Sequence, residues 1–252
     1  MELDIVQVTI LLTLGYFAGI INTLAGGGSN LTLPALMVMG MPADIANATN
    51  RVGVFMQAIW GVKQFHGHGE LPLNDIKNIF IPLSLGGIIG ALAASYAPAS
   101  YLKPVLLITM IGMSLIILIK PSVVMPEPGT IPNRVQKTPS SWAMLFISGL
   151  YGSFVQAGVG FVLIIALAGT LRYDLVKTNA LKLLCTLGFT SIALVVFILR
   201  DQVYWIPGLV LALSMMLGAH HGVKFAIKAK PGTLKWFLFL MTVCGSAAAM
   251  FF

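Results

Sequence analysis

The residues best suited to chemistry in this 252-residue chain surround a run of three glycines at 26–28. The run ends a long apolar segment, and a short apolar segment begins at Ser29. Consecutive glycines interrupt a helix and leave backbone N–H groups without intrahelical acceptors. The N-terminus of the next helix adds N–H groups and a positive dipole end, so the break is suited to an anion. Asn22 and Asn30 flank it with amide side chains.

A second break of the same kind lies in the other half of the chain, at Gln156, Gly158 and Gly160. Inside a bilayer, non-helical backbone is tolerated only where it lines a polar cavity or is buried in protein. The alternative is that these glycines serve close helix packing, as small residues commonly do in membranes. Two breaks at matching positions favour binding over packing alone.

Two cations, Arg51 and Lys182, are predicted to lie one to two turns inside apolar segments, each after a Thr-Asn pair. A cation at that depth costs about 2–3 kcal/mol on insertion scales, so it should face a cavity or a partner. No acidic residue is predicted at comparable depth, which makes an anionic substrate the expected counter-charge. The alternative is that both side chains extend to the headgroups. The candidate substrate-binding residues are Asn22, Gly26, Gly27, Gly28, Ser29, Asn30, Thr49, Asn50, Arg51, Gln156, Gly158, Gly160, Thr178, Asn179 and Lys182.

Composition identifies the solvent of this chain as lipid. Hydrophobic residues make up 58% and charged residues 9%, with a mean hydropathy of +0.92. A soluble domain carries about 25% charged residues. The formal charge of +7 falls mainly in short loops, where it sets topology, so nucleic acid is not an expected partner. No motif of an enzyme, a metal site or a cofactor site is present, and we expect none of the three.

Apolar segments recur along the whole chain and indicate an all-α polytopic membrane protein. They are predicted at about 5–25, 29–39, 44–65, 75–97, 101–119, 141–158, 160–171, 175–199, 204–223 and 233–252. Each half has the same order, in which a helix, a break and a short helix precede three long helices. Paired residues support a duplication: Thr49-Asn50 with Thr178-Asn179, Ile81-Pro82 with Ile206-Pro207, Gly90-Ala91 with Gly218-Ala219, and Leu102-Lys103 with Leu234-Lys235. We predict repeats at 1–119 and 140–252, joined by a proline-rich linker at 120–139.

The positions of the charges predict that the second repeat is inverted. If each half crosses the membrane an odd number of times, one side carries Lys63, Lys77, Lys120, Arg134, Lys137, Arg172, Lys177, Lys224, Lys228, Lys230 and Lys235. The other side then carries only Lys103 and Arg200. An even number of crossings would divide these charges almost equally. The positive-inside rule favours the first arrangement, with the linker in the cytoplasm and both termini outside.

The two short segments at 29–39 and 160–171 either span the membrane or belong to re-entrant hairpins, and their length favours the hairpins. An 11-residue helix rises about 16 Å, roughly half of the hydrocarbon core. The hairpins would enter from opposite sides and meet near the midplane, a common plan among transporters.

At these residues the chain resembles the TauE/SafE family of sulfite-exporter-type permeases. The resemblance rests on Gly15 and Gly19, the glycine run at 26–28, Pro34 and the stretch Ala46-Asn47-Ala48-Thr49-Asn50. A degenerate copy spans 149–160 and 177–179, where Gly158-Val159-Gly160 replaces a fuller glycine run. The resemblance covers essentially the full chain. It implies export of sulfite, sulfoacetate or another small organosulfonate across a bacterial inner membrane.

Energetics agrees with export. With a negative cytoplasm, a monovalent anion gains about 2.3 kcal/mol per 100 mV on leaving. We therefore expect an uncoupled exporter that works by alternating access at a midplane site. An anion channel, an ion-coupled uptake permease for a different anion and a non-transporting membrane partner are the alternatives. The expected partners are a small anion and the bilayer, and homo-oligomerisation is left open.

Overall fold

The computed structural model describes residues 3–119, 126 and 129–228, and within that part every predicted apolar segment is helical. A 3-10 turn at Val135–Lys137 precedes the helix at Pro139–Phe154, and a π-helical turn at Ile165–Thr170 continues the helix at Val159–Ile164. The predicted last segment at 233–252, with Leu234, Lys235 and Cys244, lies outside the described residues, as do Lys120 and Pro121 of the linker. The helices are α1 Ile5–Leu24, α2 Ser29–Val38, α3 Ala43–Gly67, α4 Ile76–Tyr96, α5 Ala99–Ile119, α6 Pro139–Phe154, α7 Val159–Ile164, α8 Leu175–Leu199 and α9 Trp205–Lys228.

Four of these helices, α1, α4, α8 and α9, are long and apolar enough to cross a membrane. Helix α3 is equally long at 25 residues, but Asn47, Asn50, Arg51 and Gln57 interrupt its apolar sequence. Large apolar side chains cover the outside of the bundle; Ile108 of α5 is 67% exposed and Leu213 of α9 is 64% exposed. Such a surface is stable only against lipid. The prediction of an all-α polytopic membrane protein is confirmed.

The pair α1 and α2 forms a hairpin that returns towards its own starting point. Gly28 packs against the Ala18 carbonyl and the Asn22 side chain. A Cβ at this position would overlap the Ala18 carbonyl, so only glycine fits there. At the far end, Leu11 of α1 shares an apolar cluster with Leu36 of α2. Helices α6 and α7 turn back in the same way around the second break.

Connecting segments gather at two opposite ends of the bundle. At one end, Val135 N donates to Asp75 Oδ2 (3.0 Å) and Asn133 N donates to the Leu171 carbonyl (2.8 Å). At the other, Gln202 Nε2 donates to the Ser95 carbonyl (3.2 Å). We call the first the cationic end. Apart from Lys103 and Arg200, it carries all the described cations that lie in loops or near helix ends. Those at the cationic end are Lys63, Lys77, Arg134, Lys137, Arg172, Lys177, Lys224 and Lys228.

The two hairpins start from opposite ends and meet at their breaks. The α1–α2 hairpin opens towards the opposite end, where Met41 and Pro42 line the same cavity as Ala99. The α6–α7 hairpin opens towards the cationic end, where Asn133 binds Leu171. Between them, Gly160 N donates to the Gly26 carbonyl at 3.3 Å. The inverted repeat also involves residues 233–252, which lie outside the described residues, so it stays a prediction, as do the domain limits at 1–119, 120–139 and 140–252.

Helix packing is reciprocal between the halves. Helix α1 packs along α9 and α4 packs along α6, while α3 contacts α9 and α4 contacts α8. Glycines allow these close approaches: Gly19 lies against the Met215 backbone of α9, and Gly149 against the Leu83 carbonyl of α4. Because lipid tails are as apolar as leucine, such close backbone contact is a main source of helix association in membranes. Helices of each half therefore pack mainly against helices of the other half.

Helix limits differ from the prediction in the second half. Helix α6 ends at Phe154, several residues before the predicted limit of 158, because the left-handed Gln156 and Gly158 stop it. The predicted single helix at 160–171 widens into a π-helical turn, in which Leu171 N donates to the Ala166 carbonyl (3.1 Å). Helix α9 extends to Lys228, beyond the predicted limit of 223.

The tight contact between the breaks can be tested with a matched pair of substitutions. Gly26 and Gly40 have nearly the same backbone conformation, with φ of +88° and +89°. A Cβ on Gly26 would overlap the Gly160 backbone, whereas one on Gly40 would meet nothing within 4 Å. We expect Gly40→Ala to lower the free energy of unfolding by about 1 kcal/mol through its left-handed φ. Gly26→Ala should cost about 2–3 kcal/mol more through overpacking.

Denaturant unfolding of the purified protein in detergent measures both values. Equal losses for the two variants would show that the breaks are not in close contact.

Candidate functional site

The site is built around two helix breaks whose backbones touch. Gly26 has φ of +88° and Gly158 has φ of +74°, values that residues with a side chain rarely adopt. Gln156 also lies in the left-handed region, with φ of +66°. Non-glycine residues adopt this conformation only when their surroundings impose it, and such residues concentrate at functional positions. Gln156 is 2% exposed, and its backbone is held between α6 and α7.

The first break presents backbone donors without acceptors. Helix α2 starts at Ser29 after Gly28, and its first backbone bonds run from Asn30 N to Gly27 O and from Leu31 N to Gly28 O. Within the described residues, the N–H groups of Gly27, Gly28 and Ser29 have no acceptor. The positive end of the α2 dipole adds to their potential. The predicted break before α2 is therefore present, with the donors that an anion would use.

Arg51 is fully buried and binds the C-terminus of α6. Its Nη1 donates to the Gly152 carbonyl at 3.0 Å, and its Nη2 donates to the Ser153 carbonyl. The guanidinium also lies 5.1 Å from the centroid of the Phe197 ring. The last carbonyls of a helix carry a partial negative charge, so they neutralise part of the cation. Asn47 completes this cap by donating to the Phe154 carbonyl at 2.9 Å.

Lys182 makes the equivalent contact in the other direction. Its Nζ donates to the Thr23 carbonyl in the last turn of α1 (2.9 Å) and to Asn179 Oδ1 (2.9 Å), and the side chain is 1% exposed. Each half therefore supplies a cation to the helix that ends at the break of the other half. Neither side chain extends to the headgroups, which excludes that alternative for this conformation.

The counter-charge differs from the one expected. Sequence reasoning considered only acidic side chains as protein partners for Arg51 and Lys182, and it proposed an anion because none was near. In the structure both cations contact helix-terminal carbonyls instead. These are partial charges, so a full negative charge would still be a stronger partner. The sequence signal for such caps was available, because each glycine break marks the end of a helix.

A buried hydrogen-bond network connects α2 and α1 to α3. Asn50 accepts from Thr32 Oγ1 (2.6 Å) and donates to Ser29 Oγ (3.0 Å), which fixes the start of α2 against α3. Asn22 Nδ2 donates to Gln57 Oε1 at 2.8 Å. Gln57 Nε2 in turn donates to the Gly19 carbonyl and to Thr23 Oγ1, both at 3.3 Å.

Sequence analysis missed two members of this network, Thr32 and Gln57, and a third polar residue, Thr190, to which Gln156 donates at 3.5 Å. All three are fully buried. An uncharged polar side chain in the middle of an apolar span needs an internal partner, and that rule could have identified them.

Two of the predicted substrate-binding residues, Thr49 and Thr178, use their hydroxyls in hydrogen bonds that hold the ends of helices. Thr49 Oγ1 accepts from Tyr204 N at 3.0 Å, so it fixes the start of α9 to α3. Thr178 Oγ1 donates to the Tyr173 carbonyl at 3.1 Å, at the start of α8. Both hydroxyls hold the ends of helices at the ends of the bundle. The structure thus places the two threonines away from the breaks and the two asparagines that follow them towards the breaks.

Several buried polar atoms near the breaks have no partner within the described residues. Arg51 Nε and Asn179 Nδ2 are donors of this kind. The amide of Asn179 has a fixed orientation, because its oxygen accepts from Lys182. Asn30 Oδ1 and Gln156 Oε1 are unpaired acceptors as assigned, and rotation of either amide would present a donor instead. Buried donors are rarely left unpaired unless a ligand or water completes them.

The whole set is closed to solvent in this conformation. Every predicted site residue is buried, and the most exposed of the polar ones, Asn22, is 7% exposed. The breaks themselves are in backbone contact, and the polar residues around them are buried between the two hairpins.

The reciprocal caps predict a large effect on stability. Replacing Arg51 or Lys182 with glutamine removes a charge-assisted hydrogen bond and leaves helix-terminal carbonyls unpaired in a dry interior. Either variant should lower the free energy of unfolding by about 2–4 kcal/mol, since hydrogen bonds to charged groups contribute about 1.5–3 kcal/mol each.

Arg200→Gln is the matched control, because this cation lies at the end of α8 over the Tyr96 ring. We expect it to stay within about 1 kcal/mol of the unmodified protein. Denaturant unfolding measures all three variants, and an unchanged stability in Arg51→Gln would contradict the cap.

Comparison with known proteins agrees with this architecture. Residues 11–249 match the family described as "Sulfite exporter TauE/SafE". A probable membrane transporter protein of Haemophilus influenzae is 27% identical over 230 residues, which are 90% of this chain and 88% of that protein. The probable membrane transporter protein YfcA of Escherichia coli strain K12 is 26% identical over 244 residues, 96% of this chain and 89% of YfcA. A probable membrane transporter protein of Sinorhizobium sp is 24% identical over 230 residues, 90% and 86% of the two chains. The chain therefore belongs to the sulfite exporter TauE/SafE family and is a membrane transporter.

Proposed function

We propose that this transporter exports a small sulfur-containing anion, such as sulfite, sulfoacetate or another organosulfonate, by alternating access at the two breaks. One observation carries the proposal. Arg51 and Lys182 are buried beside the touching breaks with only carbonyl and amide oxygens as acceptors. The six acidic residues of the described chain all lie in connections or at helix ends: Asp4, Asp44, Glu70, Asp75, Asp174 and Asp201.

An anion would bind the two cations of this site more strongly than the backbone carbonyls do. The site consists of hydrogen-bond donors: the two cations, the free N–H groups before α2 and the unpaired Asn179 Nδ2. An acceptor with several oxygens could bind several of these donors at once. A sulfite or sulfonate group has three such oxygens around one sulfur atom. The bonds from Arg51 and Lys182 to carbonyls already have an ionised donor, and an ionised acceptor adds the attraction between two full charges, which is strong in a dry site. The substrate therefore competes with the helix-terminal carbonyls for the cations.

This competition supplies a route to alternating access. When the anion binds Arg51, the guanidinium releases carbonyls of α6; when it binds Lys182, the ammonium releases the end of α1. Each release frees one hairpin from a helix of the other half. The breaks are held together by a glycine–glycine contact with no side chain, so they can separate without breaking apolar packing at that point.

The direction of transport follows from charge. The cationic end is expected to face the cytoplasm under the positive-inside rule, which places both termini outside a bacterial inner membrane. A monovalent anion leaving a negative cytoplasm gains about 2.3 kcal/mol per 100 mV. Uptake against that potential needs a coupled proton or cation. Within the described membrane-embedded parts, the only carboxylate that could bind one is Asp44, in the first turn of α3.

Ligand-dependent stabilisation tests the substrate class. We expect sulfite or sulfoacetate to raise the thermal unfolding midpoint of the detergent-solubilised protein; at 100 times its dissociation constant, a ligand adds about 2.7 kcal/mol. Taurine, whose ammonium cancels the sulfonate charge, should raise it less, and sulfate tests preference for a divalent anion. Arg51→Ala and Lys182→Ala should lose the shift produced by the ligand, while Arg200→Ala keeps it. If all four compounds leave the midpoint unchanged, the proposal is wrong.

Flux in proteoliposomes tests direction and coupling. With a valinomycin-set potassium potential and strongly buffered, equal pH on both sides, anion flux should follow the membrane potential. A pH gradient imposed at zero potential should drive no flux; flux driven by that gradient alone would identify a proton-coupled permease. Single-molecule conductance in planar bilayers far above carrier rates would identify an anion channel instead.

A further inference from the structure

A cavity of about 390 Å³ opens at the end of the bundle opposite the cationic end. It lies between the α2–α3 connection and the start of α5. Its only charged lining residue is Lys103, which is exposed, and the rest of the lining is small or apolar. The lining residues are Met37, Gly40, Met41, Pro42, Ala43, Ala99, Ser100 and Lys103. A cation at the mouth of an otherwise uncharged cavity gives it an affinity for anions.

An apolar cluster separates this cavity from the second break. Leu33 of α2 packs there with Leu102 and Leu106 of α5, and all three are at most 1% exposed. The same cluster includes Ala43, which lines the cavity, and Ala157, which belongs to the break. It therefore borders the cavity on one side and the site on the other.

The cluster is also where α5 is attached to the described part of the bundle. Among the α5 side chains that the structure describes, Leu102 and Leu106 are the two that are buried. Their neighbours face outwards; Tyr101 is 71% exposed and Ile108 is 67% exposed. A shift of α5 away from α2 would separate Leu102 and Leu106 from Leu33. It would also have to break, or carry along, the contacts of α5 with α3 and the hydrogen bond between Thr109 and Tyr151 of α6.

We propose that the substrate anion leaves through this cavity: it passes between α2 and α5 where Leu33, Leu102 and Leu106 now close the route, and it binds Lys103 at the exit. This inference rests on the proposed export function and identifies the route and an outer binding residue for it. The leucines form an apolar barrier that an anion cannot cross until they separate, since a charge in such a layer loses its solvation without gaining a partner.

A sided kinetic measurement tests the role of Lys103. In proteoliposomes of known orientation, Lys103→Gln should raise the KM for sulfite or sulfoacetate presented at the cavity end by about three- to tenfold, through the loss of local anion attraction. Because an uncoupled carrier has the same ratio of maximal rate to KM in both directions at zero potential, the maximal rate from the cavity end should rise in proportion to that KM. The KM and the maximal rate measured from the cationic end should not change. Arg200→Gln removes the other described cation of the same end, outside the cavity, and should change neither KM. Equal effects at both ends, or none at the cavity end, would overturn the assignment of Lys103.

Chemical labelling tests the barrier without relying on transport. Ala157→Cys, in a background with Cys185 and Cys244 replaced by alanine, places a thiol behind the barrier. The probe is 2-sulfonatoethyl methanethiosulfonate, a membrane-impermeant organosulfonate, applied at the cavity end. We expect slow labelling that becomes several-fold faster when Leu33→Ala is added.

Leu36→Ala is the matched control, because it removes an equally buried leucine from the same helix but from the cluster with α1, α3 and α9. It should leave the labelling rate unchanged. Equal acceleration by both substitutions, or by neither, would overturn the exit route. If labelling behaves as expected but no anion is transported, the route stands as an access pathway and the proposed export function is wrong.

Discussion

The binding of each buried cation to the end of a broken helix in the other half is the interaction on which this structure depends. Arg51 lies in a helix of the first half and contacts carbonyls of α6; Lys182 lies in the second half and contacts α1. Two cations in a low-dielectric interior would be unstable without negative partners. Two interrupted helices would likewise leave carbonyls unpaired in lipid. The helix-terminal carbonyls neutralise part of the charge of the cations, and the cations donate hydrogen bonds to those carbonyls. This mutual stabilisation explains why the breaks and the cations occur together.

Small residues make that solution geometrically accessible. Gly19 and Gly149 bring α1 and α6, the helices whose ends bind the cations, within backbone contact of α9 and α4 of the other half. At the breaks themselves a glycine faces a glycine, so the hairpins meet without side chains between them. Different glycines have different roles at the first break. Gly26 makes the contact with Gly160, while Gly27 and Gly28 carry N–H groups that have no acceptor within the described residues.

Much of the fold could be predicted because lipid constrains a sequence strongly. Apolar segments had to be helices, and the glycine run had to end one of them; the observed start of α2 at Ser29 agrees with this. The positions of Arg51 and Lys182 inside helices were also predictable, because polar residues stand out in an apolar sequence. The partners were not, because Gly152 and Thr23 contribute only backbone carbonyls, which every residue has. The π-helical turn after Ile164 and the role of Thr49 in fixing Tyr204 likewise depend on tertiary contacts that leave no pattern in the sequence.

The distance along the chain between Arg51 and its acceptors bears on how the protein is made. Gly152 and Ser153 follow Arg51 by about a hundred residues, so they emerge from the ribosome long after α3 has been synthesised. Until then α3 holds an unneutralised guanidinium together with Asn47 and Asn50, and its marginal hydropathy keeps it from settling in lipid by itself. The first half is thus an assembly intermediate whose third helix is stabilised in the bilayer only when the second half arrives. Insertion and folding are, for this helix, a single late event.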